Sequence, residues 1–103
     1  MKDDSELQDL YSECIKFWGL EKQLRMLQEE CGELVVAISH FLRERPGGIE
    51  NLTEELADVK LMGDQITSYI GKESVMNVLD YKSDRLAGRL KKRKGEEEWK
   101  LKE

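Results

Sequence analysis

Apolar residues recur along this chain three and four positions apart, the spacing of one helix face, and nowhere alternate with the period of two of a half-buried strand. Punctuation divides the pattern into four helical segments. Ser5 is placed to cap a first helix carrying Leu7, Leu10, Tyr11, Cys14, Ile15 and Trp18, which ends near Gly19. A second segment spans about 21–44 and stops at Arg45-Pro46-Gly47-Gly48; a third spans about 49–70, up to Gly71, and a fourth about 72–93. Residues 94–103, KGEEEWKLKE, are nearly all charged and predict a flexible tail whose one apolar anchor is Trp99, which leaves 1–93 as the helical domain. Long helices joined by short loops lie antiparallel to their neighbours, so the expected fold is all-α, a four-helix antiparallel bundle.

Phase around the helix axis separates core from surface. With Leu27 as reference and about 100° per residue, Leu24, Cys31, Leu34, Ile38, Phe41 and Leu42 fall within about 60° and form a core stripe. On the third segment Leu52, Leu56, Val59, Gly63, Ile66 and Ile70 do the same. The two segments also repeat a phrase, LQEECGEL at 27–34 and LTEELADV at 52–59. Glu30 and Glu55 both sit about 60° off their stripes, and Glu33 and Asp58 both about 120° off, on the same side. If the helices pack antiparallel through their stripes, these flanks face one another and four carboxylates converge, with Glu29 and Glu54 farther out as supports.

Converging carboxylates repel one another and cannot all stay ionised and partly dehydrated without a cation. A donor set of oxygen alone suits a hard divalent ion, Mg²⁺ before Mn²⁺. Iron is disfavoured because the Glu-x-x-His pairs of di-iron bundles are missing, Ala37 standing three residues before His40. Gly32, in mid-helix, points to a close approach of backbone or partner. On the fourth segment Val75, Leu79, Leu86 and Leu90 form the stripe, and Lys82, Arg85 and Arg89 lie on the flank that the acids occupy elsewhere. Acids that hold a metal, beside cations, are what binding of a polyphosphate requires.

Composition narrows the classes. A hydrophobic fraction of 39% beside a charged fraction of 38% fits a helical protein that closes part of its apolar surface against another copy. Val36 and Leu61 lie opposite their stripes, an apolar remainder that predicts a homo-oligomer, a dimer or a dimer of dimers. The net charge of −5 argues against a nucleic-acid polymer as the main partner. No apolar run reaches the roughly 20 residues of a membrane span, and MKDDSELQ lacks a signal peptide's apolar segment, so the expectation is a cytoplasmic protein with no membrane partner. Cys14 and Cys31, with His40 the only His, do not make a zinc site and read as buried thiols.

Glu29-Glu30-Cys31-Gly32-Glu33 followed by Glu55-Leu56-Ala57-Asp58 resembles the E-E-x-x-E and E-x-x-D signature of the MazG-like all-α nucleoside triphosphate pyrophosphohydrolases, a superfamily that includes dimeric dUTPases and phosphoribosyl-ATP pyrophosphatase. The resemblance covers roughly residues 5–93, including FWGLEKQL and the K-x-x-R of Lys82 and Arg85. It implies magnesium held by Glu30, Glu33, Glu55 and Asp58, and hydrolysis of a nucleoside triphosphate to the monophosphate and pyrophosphate, a nucleotide-pool housecleaning activity. Glu29, Glu30 and Glu54 are the candidates for the proton acceptor; Lys82 and Arg85 would stabilise the leaving pyrophosphate, Gln23 would touch the substrate, and Trp18 reads as core before base-stacking platform. Asp80 departs from the family pattern, in which an Asn often precedes the phosphate-binding Lys. A non-catalytic helical oligomer that binds a nucleotide or protein is the rival reading, and phosphoribosyl-ATP pyrophosphatase a third.

Overall fold

The computed structural model describes residues 1–102, and every described element is helical: α1 (Asp4–Trp18), α2 (Leu20–Leu42), α3 (Gly48–Ile70) and α4 (Lys72–Lys102). The chain divides into two compact units, Met1–Ile70 and Gly71–Glu103. In the first, α1, α2 and α3 pack on one another, with α2 and α3 the most extensively joined pair. The second is α4.

Each helix end in the first unit has a local cause. Asp3, not Ser5, caps α1: its carboxylate accepts from the Glu6 amide at 2.8 Å and the Glu6 side chain accepts from the Asp3 amide, a reciprocal capping box. Gly19, at φ 89°, turns the chain from α1 into α2. The second helix stops two residues earlier than its Pro-Gly-Gly signal suggests. The Glu44 amide donates to the Phe41 carbonyl and the Arg45 amide to the His40 carbonyl, a Schellman closure with Glu44 at φ 57°, where glycine is the usual residue. Gly48 then starts α3 hard against α2, where an added Cβ would lie 3.3 Å from the Phe41 Cα.

The core of this unit is turned from the expected one. Its buried apolar side chains are Tyr11, Ala37, Met62 and Ile66, joined by the polar Gln23 and Gln65. On α2 the buried positions are Gln23 and Ala37, and on α3 Gly48, Met62, Gln65 and Ile66, while Glu30 and Glu55 are half-buried together with Leu27, Leu34, Leu52 and Val59. The antiparallel seam between α2 and α3 thus takes in the acidic flank as well as part of the apolar stripes. The stripes are closed in part: Leu27, Leu34, Leu52 and Val59 are half-buried and Ile66 is buried, whereas Leu24 is 43% exposed, Ile38 42% and Leu56 53%. Val36 and Leu61 are exposed as expected. Cys14 is half-buried, and Cys31, expected inside, is exposed.

The last helix also departs from expectation. It continues to Lys102, so residues 94–102 are helical rather than a frayed tail, and Arg93 pairs with Glu96 and Lys100 with Glu97 across single turns. No residue of α4 is buried.

Candidate metal centre

The repeated acids meet in the middle of the α2/α3 seam. One carboxylate oxygen each from Glu30, Glu55 and Asp58 lie within 4.8 Å of one another, close enough to share one cation. Glu30 and Glu55 are half-buried and Asp58 exposed, so the cluster has a closed floor and an open side. The floor is unsatisfied: Oε2 of Glu30 and Oε2 of Glu55 are shut off from solvent and accept no hydrogen bond. Carboxylate oxygens in that position call for a proton or a metal ion.

Removal from water, first, holds the Glu30 carboxyl above the usual carboxylate range; the charges of Glu33 and Asp58, a hydrogen bond with Glu33 and the charge of Glu55 push the same way. Burial also leads for Glu55, followed by the charge of Glu33, a hydrogen bond with it, and the charges of Asp58 and Glu54. Glu33 thus belongs to the cluster electrostatically, although it lies outside the close trio. The hydrogen bonds between acids exist only while a proton is shared, which is how a carboxylate cluster relieves its repulsion without a cation.

Of the supporting residues, Glu29 and Glu54 are exposed, Glu54 acting on Glu55 through its charge. Gln23, the residue expected to touch substrate, is 5% exposed and its Nε2 donates to Oε1 of Gln65 at 2.8 Å, which ties α2 to α3. Gln65 in turn donates to the Met62 sulfur at 3.5 Å. Sequence reasoning missed Gln65, whose one signal was its polar type two turns beyond Asp58, on the acidic flank. Gly32 meets nothing within 4 Å of an added Cβ, so no close backbone approach explains it. Trp18 is 48% exposed and stacks edge-on with Phe17 at 5.3 Å, which removes it from the core.

Lys82 and Arg85 are exposed on α4, with the Arg85 guanidinium 5.9 Å from the centre of the Tyr81 ring. Nearby, the Asp80 carbonyl accepts from the Ser83 hydroxyl at 2.9 Å. Among the described residues no helix is long and apolar enough to cross a membrane.

No protein-family model matches this chain, and neither a curated protein nor a solved structure matches it.

Proposed function

We propose that this protein is a MazG-like nucleoside triphosphate pyrophosphohydrolase that requires a divalent cation and cleaves a nucleotide between its α and β phosphates. The observation that carries the reading is the meeting of Glu30, Glu55 and Asp58 in the α2/α3 seam, with two enclosed carboxylate oxygens that have no partner. The donors fit Mg²⁺, with Mn²⁺ as substitute: all are oxygen, they come from both helices, and the exposed Asp58 leaves a way in for substrate. Glu30, Glu55 and Asp58 would hold the ion, with Glu33 completing the set. When bound, it supplies Lewis acidity toward phosphoryl oxygens and toward water.

The remaining work falls to side chains. Glu29 and Glu54, exposed beside the ligands, are free to accept a proton from the attacking water, and Glu30 is the third candidate. The Gln23 and Gln65 pair braces the seam that fixes the spacing of the acids. Lys82 and Arg85 supply positive charge to the departing pyrophosphate. The active form is a cytoplasmic homo-oligomer of all-α subunits.

Asp80, an acid close to the phosphate-binding cations, favours a second reading in which nucleotide is bound and not turned over. Pyrophosphate release across a panel of ribo-, deoxyribo- and modified nucleoside triphosphates and phosphoribosyl-ATP, with Mg²⁺ or Mn²⁺, separates the two. The enzyme reading expects turnover of at least one nucleotide, reduced at least about 100-fold in Glu30→Ala and in Asp58→Ala. Nucleotide-dependent thermal stabilisation without turnover of any member would replace it with the second.

A further inference from the structure

Three contacts join α2 to α3 along one antiparallel register. The Gln23 amide donates to Gln65 at 2.8 Å; seven residues on along α2 and seven back along α3, the carboxylate of Glu30 meets that of Asp58, with Glu55 one turn away. Farther along the same pair of helices Gly48 lies against Phe41, so close that an added Cβ would stand 3.3 Å from its Cα. The acids therefore sit between two points at which the helices are fastened, about 10 Å along the axis from the amide pair and about 15 Å from the glycine contact.

The two fastenings differ in kind. Gly48 meets backbone, and such a contact sets only how near the helices come. The amide hydrogen bond is directional, so it fixes the rotation of α2 against α3 as well as their separation. Gln23 and Gln65 are each 5% exposed, and sliding the helices out of this register would leave buried amides unsatisfied. Gln65 is in turn oriented from its own helix, its Nε2 donating to the Met62 sulfur at 3.5 Å.

Helix spacing matters to an ion in proportion to how strictly that ion fixes its ligands. Mg²⁺ holds oxygens at about 2.0–2.1 Å in near-ideal octahedral geometry, whereas Ca²⁺ accepts about 2.3–2.6 Å and variable coordination. Here the donors come from both helices, Glu30 from α2 and Glu55 and Asp58 from α3, so a wider or rotated seam is felt between the ligands themselves.

We infer that Gln65 is a positioning residue which, through its hydrogen bond with Gln23, sets the ion-size preference of the carboxylate centre in favour of Mg²⁺ over Ca²⁺. The inference rests on the metal-binding part of the pyrophosphohydrolase reading and adds to it the residue, outside the ligand set, that decides the ion.

The test needs no assay of activity. Calorimetric titration of the full chain with Mg²⁺ and with Ca²⁺, in the absence of nucleotide, gives the ratio of the two affinities, and thermal unfolding of the metal-free protein gives stability. Gln65→Leu removes the acceptor and leaves the Gln23 amide unpaired. Gln23→Leu combined with Gln65→Leu replaces both partners by apolar groups of similar size, which restores much of the stability without restoring the bond. In both variants the ratio of Mg²⁺ to Ca²⁺ affinity is expected to fall by about tenfold, the scale on which residues behind metal ligands act. Asp3→Ala, which breaks the cap of α1, is the control: it lowers stability and leaves the ratio at its wild-type value.

If Gln65→Leu alone does not fold, the double variant decides. A wild-type ratio in the double variant, an equal fall in Asp3→Ala, or a wild type with no preference for Mg²⁺ overturns the proposal and leaves the metal centre standing. A wild type that binds neither ion overturns the metal reading and the proposal with it.

Discussion

Glu30 and Glu55 are where sequence, structure and chemistry meet most closely. Each places one carboxylate oxygen out of reach of water and of every donor, beside the charges of Glu33 and Asp58. Both carboxyls titrate above the usual range, so the folded state holds protons that the unfolded chain has already released. Stability of the metal-free protein should therefore be fully present at low pH and fall as pH rises from the usual carboxylate range through the raised values. Melting temperature against pH in a chelator checks this, with Glu30→Gln and Glu55→Gln each flattening the slope. A melting temperature that rises with pH across that window would contradict the account, as would the same slope in both variants. Mg²⁺ should remove the decline, because a cation takes the place of the shared proton.

At the scale of the helix, the repeated acids and the four segments were legible because each depends on local spacing. The helix phase was not. The packed face extends over the flank that carries the acids: Gln23 and Ala37 on α2 and Met62 and Gln65 on α3 are buried, and Glu30 and Glu55 half-buried between them. Hydrophobicity marked the apolar stripe without marking that burial would extend onto the polar Gln23 and Gln65 at one edge and leave Cys31 exposed at the other. Two helix-end predictions follow from the turn between α2 and α3. Glu44 occupies a left-handed position, so Glu44→Gly should raise stability by about 1 kcal/mol in a denaturant titration. Gly48 has no room for a methyl group against the Phe41 backbone, and Gly48→Ala should lower stability by about 1–3 kcal/mol. An unchanged midpoint in both variants would mean that this turn does not set the spacing of α2 and α3.

For the whole molecule, α4 is the element that the sequence described least well. Its charged end was read as a tail because blocks of like charge disfavour packing, yet i, i+3 pairs such as Arg93 with Glu96 let the helix run on to Lys102. No residue of this helix of 31 residues is buried, and ten Lys and Arg against seven acids set residues 71–103 apart from the acidic residues 1–70. If this division of charge helps to hold the proposed homo-oligomer together, raising salt should shift it toward monomer, read by sedimentation at constant protein concentration. An indifferent or strengthened dimer would mean that charge does not guide the pairing. Asp80→Asn, which removes an acid near Lys82, is expected to tighten triphosphate binding several-fold by calorimetry, whereas unchanged affinity would place Lys82 and Arg85 away from the phosphates.

The proposed activity stands or falls on whether carboxylates gathered by the α2/α3 seam direct cleavage between the α and β phosphates. Phosphorus NMR of the nucleotide panel, incubated with wild-type protein and Mg²⁺, reads the bond broken as well as the rate. The account predicts that at least one nucleotide gives monophosphate and pyrophosphate in equal amounts, and that Asp58→Ala leaves it intact. Release of orthophosphate with a diphosphate, or spectra unchanged for every nucleotide, would contradict it.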